Sequence, residues 1–448
     1  IWCFDNEYID RSPAAKLKIK TNDAPSEKRS TFTPEDLKTI FTELREDRLN
    51  AWKPHKLWIP LIALFSGARQ NEICQLQIHN ILNVEGIPCF NIIGEPEYNT
   101  RLKNVNSKRL VPIHPVLLQL GFLDYVLKRR KKALMTQRIV GLIPLMACVV
   151  LGLLYVVSAL INGYDLAIGF EVIIANATIV ALVATGATFI FTSGSFDLSL
   201  GANMLISAII GGLVGKATNN IFLMLIVCVA VAITLSVLNS VLASFFNLPV
   251  FIMTIVMMNV YTSVATLMIT AFGTNAAISV PMSLVRSLNN TGFRVAILVV
   301  FELFCCFVFY ILKTGRKQKF LGGNAVCAGL SGINAKKLTI LSFALAGIGI
   351  GLASFAMIVE TPTLSSSSGS SVGMNMLIAL VFGGMSMSGG PRSKMYAALL
   401  GSFSMAFLDS FMNIYVTGSW YLQIVKGVLF VVVVFLFSIG NRAKLLER

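Results

Sequence analysis

Residues 139–161, IVGLIPLMACVVLGLLYVVSALI, form an unbroken apolar run that opens a region of similar runs extending to Ile439. A helix needs about 20 consecutive apolar residues to cross the hydrocarbon core of a bilayer. The region therefore predicts an all-α polytopic membrane protein with about ten transmembrane helices. The candidate spans are residues 139–161, 171–192, 197–215, 221–245, 249–272, 294–312, 338–359, 372–388, 395–416 and 421–439. The third and eighth are rich in Gly and Ser, so we expect them to be broken or closely packed.

The composition divides the chain into two unlike parts. Overall, 55% of the 448 residues are hydrophobic and 13% are charged, with a mean hydropathy of +0.74, which excludes an ordinary soluble protein. Residues 1–134 contain 21 Lys and Arg with 15 Asp and Glu, whereas residues 135–448 contain only 16 and 7. The sequence thus predicts a small, incomplete α+β soluble segment followed by a membrane domain. The eight cysteines form no CxxC motif or His/Cys cluster, so we expect them to pack as small apolar residues, with no metal site.

Two boxes stand out in the soluble segment. The first is SGARQNEICQL, Ser66 to Leu76, and the second is KNVNSKRLVPIHPVL, Lys103 to Leu117. In order and spacing they resemble the catalytic domain of tyrosine recombinases, the phage-integrase family. The resemblance would make Arg69 a ligand of the scissile phosphate, a role that suits a planar bidentate cation, and Lys103 the general acid. The alternative is that Arg69 only caps a helix and Lys103 lies in a solvated turn.

The recombinase chemistry is incomplete in this sequence. The family also needs an HxxR box and a tyrosine nucleophile downstream, but none of His55, His79 and His114 is followed by Arg three positions later. After Lys132 the chain becomes apolar where the rest of the domain would lie. Covalent strand cleavage therefore has no nucleophile. We interpret residues 1–134 as a truncated, catalytically inactive remnant with at most weak, nonspecific affinity for DNA.

The distribution of Lys and Arg predicts the orientation of the membrane domain. The segment KTGRKQKFLGGNAVCAGLSGINAKK, Lys313 to Lys337, carries six cations and no acid. Short loops rich in Lys and Arg stay on the cytoplasmic side. With both termini inside the cell, this loop, residues 128–132, Arg392 with Lys394, and the C-terminal cations are all cytoplasmic. The opposite orientation would translocate most of them.

Three motifs in the membrane domain carry a second resemblance. They are FTSGSFDLSLGAN at residues 191–203, the basic loop with GGNAVCAGLSGINAKK, and FGGMSMSGGPRSK at residues 382–394. Together they resemble the permeases of bacterial ABC importers for ribose, xylose and galactose, and the resemblance covers residues 135–448. The positions that match the first and third family motifs are Gly194, Asp197, Leu198, Ser199, Gly201, Gly383, Gly384, Ser388, Gly389 and Gly390. Ser195 and Phe196 depart from the usual Gly and Ile, which leaves the substrate open.

The resemblance implies a transporter subunit in the bacterial inner membrane and not an enzyme. The chain has no P-loop, so ATP would be bound by a separate ATPase and this chain would carry no cofactor. The implied partners are two ATPase subunits, a second permease copy and a periplasmic or lipid-anchored sugar-binding protein, with no nucleic acid. The predicted ATPase-coupling residues are Gly323, Asn324, Leu330, Ser331, Gly332 and Ile333. The alternative is that this loop is only a positive-inside anchor.

Polar side chains within the spans are candidates for a solute pathway, because such residues are costly in a bilayer. The candidates are Asn176, Asn203, Asn259, Asn375, Asp409 and Gln423. Glu302 and Asp409 could either pair across helices or line the pathway. Asp197 could cap the third helix or contact a sugar, and the first role is favoured. Lys426 is expected to extend to the membrane surface, and residues 363–371 to form an external loop facing the binding protein.

The sequence leaves three functional hypotheses. Sugar import explains the membrane domain, DNA recombination would explain only the first 134 residues, and a fusion in which the soluble part regulates the permease would explain both. The missing nucleophile argues against recombination. No linker rich in Gly, Ser or Pro separates Lys132 from Met135, which argues for an accidental fusion. The sequence does not distinguish one sugar from another, or from a nucleoside.

Overall fold

The computed structural model describes residues 33–36, 38, 39, 42, 54–94, 108–385, 389–415, 424–428, 430–432 and 435. The chain divides into two compact units, with the boundary between Arg130 and Lys131. The predicted domain boundary at residue 134 lies a few residues from this division and remains a prediction.

The N-terminal unit is a small α+β segment, as the sequence predicts. Its described elements include the helices α1 (Pro54–Ser66), α2 (Gln70–Gln75) and α3 (Pro115–Gln119) and the strands β1 (Ile81–Val84), β2 (Ile87–Ile92) and β3 (Arg109–Pro112). The strands form an antiparallel sheet in the order β1-β2-β3. Glu85 and Gly86 both have positive φ, 51° and 88°, which fits the two-residue hairpin turn between β1 and β2.

An aromatic cluster forms the core of this unit. The ring of Trp58 meets the edge of Phe122 with centroids 5.0 Å apart, and Phe90 lies 5.6 Å from the same ring. Ile62, Leu117 and Phe122 have no exposed surface. Burial of these large apolar side chains, each worth about 2 kcal/mol, stabilises the packing of α1 and β2 around the helical segment that begins at Phe122.

Among the described residues of the second part of the chain, eight helices are long and apolar enough to cross a membrane. They are α4 (Phe122–Ile161, apolar over Gly141–Ile161), α5 (Leu166–Thr192), α6 (Leu200–Thr218), α7 (Ile221–Phe245), α8 (Val250–Phe272), α10 (Thr291–Cys306, continued by a π turn to Ile311), α13 (Ala335–Glu360) and α15 (Tyr396–Tyr415). The polytopic all-α fold is thereby confirmed. The predicted tenth span, 421–439, is described only in part.

The predicted eighth span is shorter than a membrane-crossing helix. Helix α14 (Ser370–Phe382) has 13 residues, which gives it a length of about 20 Å against a hydrocarbon core of about 30 Å. Its first turn lies against α6, because a Cβ at Gly201 would be 2.8 Å from the Gly369 carbonyl oxygen. The Gly- and Ser-rich composition of this stretch therefore corresponds to a short, closely packed helix.

Helix α13 is the centre of the bundle, and small residues allow its close contacts. A Cβ at Gly347 would lie 2.6 Å from the Ile233 Cα on α7, and one at Gly349 would lie 2.5 Å from the Leu182 carbonyl oxygen on α5. Gly351, four residues after Gly347, also meets α7 backbone, at Val229. The helices approach closely because glycine replaces side chains at these crossings, as is typical within membranes.

Short elements connect the spans. Strands β4 (Ala277–Ser279) and β5 (Thr363–Ser365) pair antiparallel, and the short helix α9 (Met282–Val285) follows β4. The basic loop forms α11 (Lys313–Gly323) and α12 (Ala325–Leu330). Near β5, the Arg294 guanidinium pairs with Glu360 at 2.5 Å and with Glu171 at 3.8 Å. This ion cluster ties together the adjacent ends of α5, α10 and α13.

Candidate functional site

The three sequence motifs of the membrane unit meet at one place. A Cβ at Gly322, the penultimate residue of α11, would overlap the Thr192 carbonyl oxygen at the end of α5 and lie 2.7 Å from the Gly390 amide nitrogen. A Cβ at Gly389 would lie 3.0 Å from the Gly194 amide nitrogen. Backbone therefore packs directly on backbone where the first motif, the basic loop and the third motif converge. We call these five residues the glycine junction.

Glycine is required at the junction by conformation as well as by space. Gly194, Gly389 and Gly390 have φ values of 80°, 65° and 78°, in the left-handed region that side chains disfavour. Gly383, just after α14, makes a similar contact with α15, because a Cβ there would overlap the Ala397 carbonyl oxygen. Gly384, the next residue, has a φ of 83°. Ser388 lies outside the described residues.

Asp197 is the buried acid of the first motif. Its Oδ1 accepts hydrogen bonds from the amide and the hydroxyl of Ser199, both at 2.7 Å, and Ser199 precedes the first residue of α6. The Ser199 hydroxyl oxygen accepts from Asn239 Nδ2 at 2.7 Å, and Tyr261 donates to Asn239 Oδ1 at 2.8 Å. Burial raises the pKa of Asp197 to about 6 against the lowering effect of the Ser199 hydrogen bonds. The carboxyl thus organises the turn before α6 and links it to α7 and α8.

Asn239 and Tyr261 belong to this network, although the sequence analysis did not select them. Both lie in the interior, with Asn239 fully buried and Tyr261 3% exposed. An asparagine inside an apolar span is a signal that could have identified the first. Leu198 and Gly201 flank the network, and the Leu198 amide donates to Thr254 Oγ1 at 3.4 Å. The first motif is therefore a packing and hydrogen-bonding centre.

The predicted coupling residues differ in exposure. Leu330, at the end of α12, is 84% exposed, whereas Ile333 packs against a small cluster of Leu321, Ala328 and Leu338. Ser331 and Gly332 form an exposed turn, in which Gly332 has a φ of 77°. Gly323 ends α11, and the Asn324 amide donates to the Phe320 carbonyl oxygen at 3.1 Å. Leu330 is therefore available for contact with a partner, whereas Ile333 packs inside the loop and stabilises its fold.

Helix α11 is anchored to the spans beside it. The Lys319 ammonium lies 4.4 Å from the centre of the Phe309 ring and 5.0 Å from that of Tyr310. Gln318 is fully buried, and its Nε2 donates to Ser342 Oγ on α13 at 2.9 Å. Partial burial lowers the pKa of Lys319. These contacts join α11 to the end of α10 and to the central helix.

Two of the predicted pathway residues come together around Lys426. The Lys426 ammonium lies 2.8 Å from Asp409 Oδ1 and 3.1 Å from Asn375 Oδ1, and Lys426 is 8% exposed. The expectation that Lys426 extends to the membrane surface is therefore wrong, because a carboxylate on α15 lies within reach of its ammonium group.

The other polar candidates are dispersed. Asn203 is buried between α6 and α7 and donates to Ser236 Oγ at 2.9 Å. Asn176 on α5 is exposed, and Gln423 lies outside the described residues. Glu302 on α10 accepts a hydrogen bond from Thr185 on α5 at 2.8 Å, so it does pair across helices. The described residues thus contain no single cluster that unites the predicted pathway set.

In the N-terminal unit, Arg69 is the N-cap residue of α2. Its amide donates to Glu72 Oε2 at 3.0 Å, and its guanidinium lies 3.5 Å from Glu72 Oε1. Arg109 on β3 reaches Glu72 Oε2 at 2.8 Å. Burial alone would raise the pKa of Glu72, but the Arg109 hydrogen bond, the Arg69 amide and the two positive charges outweigh it and lower the pKa. Lys103 lies outside the described residues.

The membrane unit matches a known family of transport proteins. Residues 169–434, more than half of the chain, match the family described as branched-chain amino acid transport system / permease component. The chain belongs to this permease family. It is therefore a multi-pass membrane protein of the permease type. The match begins at residue 169, so it does not test the recombinase resemblance of the N-terminal unit.

Several curated permeases are similar to the chain. The ribose import permease protein RbsC of Escherichia coli K12 is 27% identical over 272 residues, which cover 58% of this chain and 83% of that protein. The fructose import permease protein FrcC of Rhizobium meliloti is 24% identical, with 58% and 75% covered. The xylose transport system permease protein XylH of Haemophilus influenzae is 28% identical, with 36% and 43% covered. No solved structure matches the chain.

Proposed function

We propose that this permease forms the translocation pathway of an ATP-driven importer for a monosaccharide. The observation that carries the proposal is the convergence of the three motifs that resemble sugar permeases. They are far apart in the sequence, yet they meet at the glycine junction. The permeases of ribose, fructose and xylose systems among its relatives support a sugar as the solute. The family description names branched-chain amino acids, which makes them the second candidate.

In this proposal, the energy enters through α11 and α12. The exposed Leu330 inserts into a groove of a separate ATPase, which binds the ATP, and the basic residues of the loop surround the contact. Closure of the ATPase pair pushes α12. At the glycine junction, the backbone of α11 contacts both the end of α5 and the third motif. Displacement of α11 must therefore move α5 and the third motif with it. The permease then switches between inward-facing and outward-facing states as rigid parts.

The basic loop also sets the proposed orientation. Its six cations support a cytoplasmic position for α11 and α12 in a bacterial cell, with both chain termini on the same side of the inner membrane. The β4–β5 end then faces outward, where residues 363–371 and the paired strands offer a surface to a sugar-binding protein. Two copies of the permease and two ATPase subunits complete the importer.

Among the described residues, no group of three His, Cys, Asp or Glu could hold a metal ion.

For the N-terminal unit, we propose a recombinase remnant without catalytic function. The two boxes of the sequence support it, and four apolar side chains on the sheet are exposed, as expected where part of a domain is missing: Leu82, Val84, Ile87 and Leu110. Arg69 contacts Glu72, as a helix-capping role requires. Deletion of residues 1–130 should therefore leave transport unchanged. Loss of uptake on this deletion, with normal membrane insertion, would instead support a regulatory fusion.

The proposed function is tested by ATP-driven uptake in proteoliposomes. The full chain is reconstituted with its cognate ATPase and binding protein, and uptake is measured with radiolabelled ribose, xylose, fructose, leucine and isoleucine. We expect one sugar to accumulate only when ATP is supplied to the ATPase. Accumulation of leucine or isoleucine instead would contradict the sugar assignment and favour the second candidate.

A further inference from the structure

Helix α8 carries a polar stripe on its outward face. The stripe consists of five exposed residues: Asn259, Thr262, Ser263, Thr266 and Thr270. Their spacing of three and four places them on one side of a helix. The opposite side is buried in the bundle through Met257, Tyr261, Ala265 and Ile269. From Asn259 to Thr270 the stripe runs along the helix axis for about 16 Å, half the thickness of the hydrocarbon core.

The stripe differs from the outward faces around it. On α8 itself, the adjacent exposed strip is apolar and consists of Val256, Val260, Val264 and Leu267. The exposed residues of α4 from Gly141 to Ile161 are also apolar, as are those of α10 from Val295 to Phe304. These apolar faces suit lipid chains. A polar face among them is disfavoured in contact with lipid, because hydrocarbon offers no hydrogen bonds.

Four of the five stripe side chains, those of Asn259, Thr262, Thr266 and Thr270, each donate a hydrogen bond to a carbonyl oxygen within the helix. Thr262 donates to the Met258 carbonyl oxygen at 2.8 Å and Thr266 donates to the Thr262 carbonyl oxygen at 2.9 Å. The amide of Asn259 likewise donates to the Ile255 carbonyl oxygen at 3.1 Å. These bonds leave the oxygen lone pairs of the side chains as acceptors for a hydroxylated molecule. The stripe contains no charged group, so it would not hold an ion strongly.

We propose that the polar stripe of α8 lines an aqueous path between the two permease copies of the proposed importer, along which a neutral, polyhydroxylated solute moves. The inference rests on the proposed function and assigns its pathway. Uncharged hydroxyl and amide groups repeated along the axis exchange hydrogen bonds with sugar hydroxyls at successive positions, and weak repeated contacts permit both entry and release. The sequence analysis selected only Asn259 of this set, because the spacing places the four hydroxyl residues on one face of a helix but does not show that this face is exposed.

The test compares cysteines on the two exposed strips of α8 at matched depth. Thr262→Cys and Thr266→Cys are the stripe variants, and Val260→Cys and Val264→Cys are the controls, each in the full chain with its eight native cysteines replaced. The proteoliposomes contain the ATPase, and a charged, membrane-impermeant methanethiosulfonate reagent is the probe. We expect the stripe cysteines to react at least tenfold faster than the controls, because the reagent reaches only thiols in contact with water.

Slow reaction of the stripe cysteines would overturn the proposal. Equal, slow reaction on both strips would mean that the stripe faces lipid. Slow reaction of the stripe together with a disulfide between two Thr266→Cys copies would mean that it is a dry contact between permeases. Sugar uptake with an unreactive stripe would refute this inference and leave the proposed function intact. A reactive stripe in vesicles that take up no sugar would support an aqueous path and refute the sugar assignment.

A second comparison avoids the cysteine-free background. Thr266→Leu removes a hydroxyl from the stripe and adds apolar bulk, whereas Val264→Leu adds bulk to the apolar strip beside it. Uptake should fall at least tenfold for the first variant and stay within twofold of the unchanged protein for the second. Equal uptake by both variants, at equal amounts of inserted protein, would refute the pathway role of Thr266.

Discussion

At the scale of single residues, the ion pair of Lys426 and Asp409 shows that an opposite charge nearby allows a lysine to be buried within a membrane bundle. Lys426 is nearly buried, with its ammonium 2.8 Å from Asp409. Removing one member of a buried pair leaves the other charge uncompensated, which costs about 3 kcal/mol or more, whereas replacing both is far less harmful.

Lys426→Met should therefore lower the midpoint of thermal unfolding in detergent, and Asp409→Leu added to it should restore much of the loss. Val428→Ala, at an exposed position two residues later, is the control and should leave the midpoint unchanged. The ion pair would have no structural role if Lys426→Met alone were as stable as the unchanged protein.

Glu72 gives the N-terminal unit a predictable dependence on pH. Its pKa is lowered in the folded state by Arg109 and Arg69, against the effect of burial. A carboxyl whose pKa is lower when folded contributes stability above its ordinary pKa, and this contribution is lost as the pH falls through the lowered value. Hydrogen exchange of α2 in the full chain should therefore accelerate as the pH drops below about 4.5, after correction for intrinsic rates. Glu72→Gln should remove this acceleration, and an unchanged profile in that variant would contradict the assignment.

At the scale of secondary-structure elements, the glycine junction makes the position of α11 depend on the absence of a side chain. A methyl group at Gly322 would overlap the Thr192 carbonyl oxygen and crowd Gly390, so α11 would have to move away from α5. Gly329 on α12 is a matched control in the same loop, because a Cβ there meets nothing within 4 Å.

We predict that Gly322→Ala reduces uptake at least tenfold and lowers thermal stability. Gly329→Ala should leave uptake unchanged and stability unchanged or raised by about 0.5 kcal/mol, since alanine favours a helix over glycine. Both variants are compared by uptake and by the midpoint of thermal unfolding. Equal behaviour of the two variants would contradict the close packing at the junction.

The packing role of Ile333 leads to a separate prediction for the same loop. Ile333→Ala removes apolar contacts with Leu321, Ala328 and Leu338, so we expect it to destabilise α12 by about 1 kcal/mol. Hydrogen exchange of residues 325–334 should become faster, while the spans keep their protection. Unchanged exchange would mean that Ile333 does not hold the loop.

At the scale of the whole molecule, the sequence predicts the bundle well because apolar length is a direct requirement of the bilayer. The runs that became α4 to α8, α10, α13 and α15 could be located from hydropathy alone. Helix α14 could not be distinguished from a full span, because glycine and serine are compatible with both a short helix and a close crossing.

Contacts between distant parts of the chain were less accessible to sequence reasoning. The three motifs could be recognised by their letters, but only the structure brings Gly194, Gly322 and Gly389 into one junction. Periodicity also does not reveal which side of a span faces the bundle, so the stripe on α8 went undetected. The partner of Lys426 was missed because the sequence does not show that Asp409 lies beside it. Without that knowledge, extension of the lysine to the membrane surface is enough to explain a charge in an apolar span.

The central claim, that a separate ATPase drives this permease through the exposed end of α12, is tested most directly by one uptake comparison. ATP-driven sugar uptake by the full chain is measured beside that of Leu330→Asp, in proteoliposomes with matched amounts of inserted permease, ATPase and binding protein. Because Leu330 is 84% exposed, the substitution should leave the fold and the thermal midpoint unchanged, so that a loss of uptake reports the contact alone. We predict that uptake falls at least tenfold; uptake by Leu330→Asp at the full rate would contradict the account.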